Sequence, residues 1–259
     1  MAAKVTSWKR ARVLDDHFPE AIAAHYDETI GTHADAAVIT ETVDFLAELA
    51  EANGGDALEL AIGTGRVALP LAARGVRVVG IDLSDAMVAR LRAKPGGADL
   101  DVARGDFTTT TVDGDFGLVY LVFNTIGNVT TQDQQVATFA NAAPHLRPGG
   151  CFVVEVGVPQ LRRYPPGETM RPFEVTPAHL GFDEIDVATQ GLISHHHWLV
   201  DGEWQVASMP FRYVWPAELD LMARLAGMTL RERWSGWTRE PFTSASTSHV
   251  SVWEKAATT

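Results

Sequence analysis

A doubly wound α/β fold, with a seven-stranded and mostly parallel sheet and an antiparallel β insertion, is what this chain predicts. Three observations carry the prediction. Strand-length apolar runs alternate with helix-period segments from about residue 34 to residue 156. Glycine-rich turns at Gly63 to Gly65 and at Pro148-Gly149-Gly150 punctuate that alternation. Between Gly157 and Pro216 the long helices stop and strand follows strand, after which the αβ pattern returns.

Taken in order, apolar side chains at helical spacing (Val38, Ile39, Val43, Leu46, Leu49) predict a helix over 34–51, stopped by Asn53-Gly54-Gly55. Strand 57–61, helix 67–74 and strand 76–81 follow, with Gly75 capping the helix. The alternation continues through helix 85–93, strands 100–103 and 117–123, helix 132–145 and strand 151–156. Helical crossovers of this length imply right-handed connections and parallel strands. In the insertion, Asp201-Gly202 between strands 194–200 and 203–207 is a hairpin signal. Helix 217–226 and strands 228–234 and 249–254 close the chain, the last two as a hairpin that leaves one antiparallel strand in the sheet. The expected organisation is 1–156 for N-terminal helices and the main part of the α/β core, 157–216 for the insertion or lid, and 217–259 for the return to the core.

Composition bounds the function. With 46% hydrophobic and 21% charged residues over 259 positions, the chain has the makings of a folded core and none of the signature of disorder. A net charge of −12 spread along the sequence repels phosphate backbones, so nucleic acid is a poor partner, whereas a cationic ligand is tolerated. The single cysteine, Cys151, allows no internal disulfide. The first ten residues lack the apolar run of a signal peptide and no stretch reaches membrane-spanning length, so a cytoplasmic protein without membrane contact is expected.

The chemistry gathers at the first βα turn, Leu58-Glu59-Leu60-Ala61-Ile62-Gly63-Thr64-Gly65-Arg66. Glycines let backbone approach a ligand, and the following helix N-terminus presents free N–H groups. Asp82, at the end of the second strand, is placed to accept the hydroxyls of a ribose. The turn also fits the G-x-G-x-x-G/A dinucleotide fingerprint, so an NAD-dependent oxidoreductase stays open at this point. Glu59 argues against it, because an acid beside the turn suits a ligand with an ammonium and a sulfonium and repels a pyrophosphate. Arg104-Gly105-Asp106-Phe107 after the third strand adds an acceptor for an adenine amino group and an aromatic face.

Together these residues resemble the class I S-adenosylmethionine-dependent methyltransferases, with their Rossmann-like sheet. The resemblance implies S-adenosyl-L-methionine as cofactor, Asp82 on the ribose, Leu83 against the adenine, and Asp106 with Phe107 in the adenine segment. It covers residues 57–156 by motif and 217–255 by topology. In the family pattern a glycine usually stands where this chain has Ala61, which places a methyl group near the methionine moiety. Short motifs, His25-Tyr26-Asp27, Phe123-Asn124-Thr125-Ile126-Gly127-Asn128 and Tyr213 to Leu219, resemble the small-molecule members related to amino-sugar N-methyltransferases. That resemblance implies Tyr26 over the cofactor, Phe123 and Asn124 at the sheet edge, and the insertion over a small-molecule substrate with an N, O or C acceptor.

Methyl transfer needs alignment and exclusion of water more than a strong base. His195 and His197, on one side of a predicted strand, are candidates for substrate contact or a base, against a plain reading as surface or sheet histidines. No metal site is expected from the run. Arg162, Arg163 and Arg212 are candidate partners for a substrate anion, or salt-bridged arginines. Exposed insertion strands point to a possible homodimer. A protein that binds the cofactor without catalysis is the remaining alternative.

Overall fold

The protein is described here by a computed structural model over residues 35–200 and 202–257. The first helix of the described residues, α1 (Ala36–Ala52), starts where the Asp35 carboxylate accepts the Ala37 N–H at 2.9 Å, and buries Val43, Leu46 and Leu49. Strand β1 (Asp56–Leu60), helix α2 (Ala68–Ala73) and strand β2 (Arg77–Asp82) form the first βαβ unit. Helix α3 (Asp85–Ala93), strand β3 (Asp101–Arg104), strand β4 (Phe116–Leu121), helix α4 (Gln132–His145) and strand β5 (Leu146–Gly157) extend it. After the insertion come helix α5 (Pro216–Leu225), strand β10 (Met228–Trp234) and strand β11 (Ser248–Lys255).

The main sheet has seven strands in the order β10-β11-β5-β4-β1-β2-β3, with β11 antiparallel to both of its neighbours. The other adjacent pairs are parallel, as right-handed helical crossovers dictate. Alternate residues of each strand feed one of two helical layers. Leu58, Leu60, Val119, Leu121, Phe152 and Val154 meet Phe139 of α4, Leu219 and Met222 of α5, and Trp253. Phe139 packs edge-to-face on Phe152 and on Trp253, with ring centroids 5.0 and 5.3 Å apart. On the other face Ala57, Leu118, Tyr120 and Val153 meet Phe45 and Leu46 of α1 and Leu71 of α2.

The insertion is a second, four-stranded antiparallel sheet, β6 (Met170–Val175), β7 (His179–Asp186), β8 (Gly191–Val200) and β9 (Glu203–Arg212), in sequential order. Val200 pairs with Glu203 across the two-residue connection that the sequence marks, and Gly202 there has φ of 82°. One face carries His179, His196 and Trp198 as a stack with centroids 4.9 to 5.3 Å apart. The opposite face exposes Leu180, Ile193, Trp204 and Val206.

One expectation is revised by tertiary contacts, and between the two readings of Arg212 they select the salt-bridged one. Strand β4 ends at Leu121, before the expected Phe123, because Phe123 and Asn124 both turn left-handed, with φ of 63° and 56°. Arg212 is closed off from any substrate anion. It is buried between Glu218, at 2.8 Å, and the amide oxygen of Gln135.

Candidate active site

The carboxyl ends of β4, β1, β2 and β3 lie side by side, which brings most of the residues marked by the sequence to one edge. Leaving β1, the chain turns left-handed at Ala61, Gly63 and Gly65, with φ of 56°, 57° and 74°. Gly65 packs so closely that an added Cβ would stand 3.0 Å from the Leu91 side chain. Gly80 on β2 leaves the space that Ile62 fills, since a Cβ there would stand 2.4 Å from its side chain.

Ala61 is the one non-glycine of that turn to adopt the left-handed conformation, which costs an L-residue about 1–2 kcal/mol. An interior Ala→Gly change ordinarily destabilises by roughly 0.5–1 kcal/mol. Ala61→Gly is therefore expected to leave stability unchanged or raise it by up to about 1 kcal/mol. Urea unfolding checks this, and a loss of ordinary size would show that the turn carries no strain.

Asp82 ties the turn to the second strand. One carboxylate oxygen accepts the Gly63 N–H at 2.6 Å and the other the Ser84 N–H at 2.8 Å. These two bonds hold the orientation of the carboxylate. Its backbone carbonyl accepts from Gly105 at 2.8 Å, drawing the β3 exit alongside. Leu83, 46% exposed, follows immediately. The Asp106 carboxylate accepts the Thr108 N–H at 2.8 Å, which fixes the turn after β3, and Phe107 packs partly into the core while its carbonyl accepts from Asn141.

Glu59 is buried, and its carboxyl is pushed up to about 8 by that burial, against the hydrogen bond from Tyr120 and the opposing charge of Arg66. Glu59 and Tyr120 are register partners on the parallel strands β1 and β4, so the phenol donates to the carboxylate at 2.9 Å. Burial likewise drives the Tyr120 hydroxyl well above its ordinary value. With Asp82 adding a like charge, the pocket is one that a cationic ligand relieves and a pyrophosphate burdens. A ligand carrying a sulfonium, an ammonium and a ribose fits this donor and acceptor set, so the residues fit S-adenosylmethionine.

Beyond the turn, Phe123 and Asn124 leave β4 under the hold of β5. The Glu155 carboxylate accepts the Phe123 N–H, the Glu155 carbonyl accepts from the Asn124 N–H at 3.2 Å, and the Asn124 side-chain oxygen accepts the Gly157 N–H at 2.6 Å. The Arg66 guanidinium lies 4.6 Å over the Phe123 ring. Val38, Thr42, Arg66, Val67, Val122, Phe123, Glu155 and Trp237 line a small, open cleft. Burial raises the Glu155 carboxyl, partly offset by the Phe123 N–H and by Arg66.

The sequence reading did not single out Glu155, Tyr120 or Trp237, nor give Arg66 a role of its own. An acid inside the apolar run Val153-Val154-Glu155-Val156 was the available signal for the first. Tyr26 lies outside the described residues. The contacts of His195 lie within the insertion, to Ser208 at 2.8 Å, Glu184 at 3.3 Å and the Phe182 ring, and His197 stacks on Phe182. Among the described residues no three or more His, Cys, Asp or Glu converge as a metal site, and no helix is long and apolar enough to cross a membrane.

Comparison with known proteins agrees with this geometry. A family model described as a methyltransferase domain matches residues 57–150. The cypemycin N-terminal methyltransferase of a Streptomyces species is 30% identical over 210 residues, 78% of this chain and 84% of that protein. The CcbJ methyltransferase of Streptomyces caelestis superposes with a TM-score of 0.81 at 35% identity, covering 94% of this chain and 100% of the other. An amino pentose methyltransferase from Micromonospora echinaspora, solved with S-adenosylmethionine bound, shares the fold at a TM-score of 0.68 and 20% identity, over 92% of this chain and 98% of its own. Relatedness over most of the chain, joined to a glycine-rich turn and the acids Glu59 and Asp82 on the neighbouring strands β1 and β2, makes this protein a member of the class I S-adenosylmethionine-dependent methyltransferases.

Proposed function

We propose that this protein transfers a methyl group to an amine nitrogen of a small molecule or of a short peptide terminus. The observation that carries the reading is the cleft beside the cofactor turn, where the Glu155 carboxylate and the rings of Phe123 and Trp237 stand together. Acidic and aromatic surroundings favour an amine over an anionic acceptor. The relatives support it by name: one is an N-terminal methyltransferase, and sugar and glycopeptide N-methyltransferases share the fold.

S-adenosylmethionine supplies a methyl group made electrophilic by its sulfonium. When bound, it would give its methyl carbon to the acceptor nitrogen, the sulfur keeping the bonding pair and the nitrogen giving up one proton to water. Residues of the chain align and shield this displacement. Asp82 and Glu59 orient at the turn, and Phe123 and Trp237 wall the cleft.

Incubation with methyl-labelled cofactor and a panel of amino sugars, peptide amines, phenols and carboxylic acids tests the reading. Label is expected in amines, each product one methyl heavier by mass. Label confined to phenols or carboxylic acids overturns it.

A further inference from the structure

Among the described residues, five non-glycine positions have positive φ: Ala61, Phe123, Asn124, Gln190 and Arg239. Three of the five stand at the exits of the neighbouring strands β1 and β4, beside the cofactor turn. Left-handed non-glycine residues persist where their surroundings over-determine them, and such residues cluster at active sites. At Phe123 and Asn124 the end of β5 supplies three backbone determinants: the Glu155 carboxylate on one N–H, the Glu155 carbonyl on the next, and the Gly157 N–H on the Asn124 side chain.

We propose that Glu155 is a positioning residue for methyl transfer, its carboxylate gripping the Phe123 backbone in the left-handed conformation that sets the aromatic wall of the acceptor cleft. The inference rests on the methyltransferase reading of the site. Glu155 shares with Glu59 and Tyr120 the sheet face turned to α1 and α2, and Phe123 and Arg66 pack against that layer as well. Arg66, the residue directly after Gly65, covers the Phe123 ring and faces both carboxylates, so the ring, the grip and the cofactor turn form one connected unit. Without the grip, the Phe123 backbone relaxes to an extended conformation and carries its ring off the cleft.

Three variants separate the grip from the charge. Glu155→Gln keeps an oxygen for the Phe123 N–H, Glu155→Ala removes it, and Glu155→Asp keeps the charge but shortens the reach. In Glu155→Ala and Glu155→Asp, kcat is expected to fall by about tenfold to a hundredfold, the scale set by misplacing a reacting partner by about 1 Å. S-adenosylhomocysteine affinity by calorimetry is expected to stay within about threefold, because the turn and Asp82 are untouched. Glu155→Gln is expected to recover most of the lost turnover. NMR coupling constants read the Phe123 φ directly, positive in the wild type and in Glu155→Gln and negative in the other two. They do so without an acceptor, so a silent amine panel leaves this test intact. A positive Phe123 φ retained in Glu155→Ala overturns the proposal. So does a kcat equally low in Glu155→Gln and Glu155→Ala.

Discussion

Replacing Arg212 by methionine is expected to lower the unfolding free energy by about 3–5 kcal/mol, the scale of removing one member of a buried ion pair. Its side chain is 5% exposed and that of Glu218 14%, so neither charge is much screened by solvent. The guanidinium donates to Glu218 at 2.8 Å and to the amide oxygen of the fully buried Gln135, whose own amide group donates back to the Arg212 carbonyl at 3.2 Å. The network thus joins β9 of the insertion to α4 and α5 of the core. Methionine fills similar volume but leaves the Gln135 oxygen without this donor and the Glu218 carboxylate without its counter-charge, the amides of Gln132 and Gln190 still donating to it. Denaturant unfolding measures the loss, and a change under about 1 kcal/mol would mean that the pair contributes no more than a surface contact.

Acid should weaken the same network. Burial pushes the Glu218 carboxyl up, but hydrogen bonds from Gln190, Arg212 and Gln132 together hold it below its ordinary range. A carboxyl depressed in the folded state contributes stability that is present above its unfolded value and lost as pH falls through the folded one. Arg212→Met is therefore less harmful in acid than near neutrality.

Glu59 runs in the opposite direction. Its carboxyl rises from an ordinary 4.5 to about 8 in the folded protein, so its contribution is fully present below pH 4.5 and is lost as pH climbs towards 8. At about 1.4 kcal/mol per pH unit, the unliganded protein loses on the order of 4 kcal/mol over that window relative to Glu59→Gln. Glutamine keeps an acceptor for the Tyr120 hydroxyl and does not titrate. Unfolding free energies of the two proteins, measured from pH 4 to 9, isolate Glu59 as their difference, and a difference that stays flat would sink the assignment. Ligand binding runs the other way: a cationic ligand favours the ionised carboxylate, so affinity for S-adenosylhomocysteine, which carries an ammonium, is expected to strengthen as pH rises towards 8.

Much of this was legible because it is local. Helices α3 and α4 and strand β10 run over the residues that the periodicity marks, since capping residues and apolar spacing act within a few positions. Gly63, Gly65 and Asp82 are readable for the same reason: left-handed turns and strand ends impose short-range spacing, and the sheet needs only parallel register to bring them together. Ala61 was visible as a departure from the family pattern, though its left-handed backbone was not.

The rest depended on partners remote in the chain. Tyr120 and Glu59 are 61 residues apart, Phe123 and Glu155 are 32 apart, and Arg212 and Gln135 are 77 apart. A strand's hydrophobic pattern predicted that β4 would run through Phe123, because an apolar residue reads the same whether it extends a strand or is turned out of it by a carboxylate on the next strand. His195 and His197 show the same limit, since strand alternation put them on one side while neighbouring strands supplied Ser208, Glu184 and Phe182 as their contacts. The sequence by itself determined the α/β layering, the glycine-rich turn after β1 and the acid that ends β2, which follow from short-range geometry and burial. Only the tertiary structure decided which buried charges face one another, because the ionisation of Glu59, the grip of Glu155 and the closure of Arg212 each come from a group that sheet and helix packing brings across the fold.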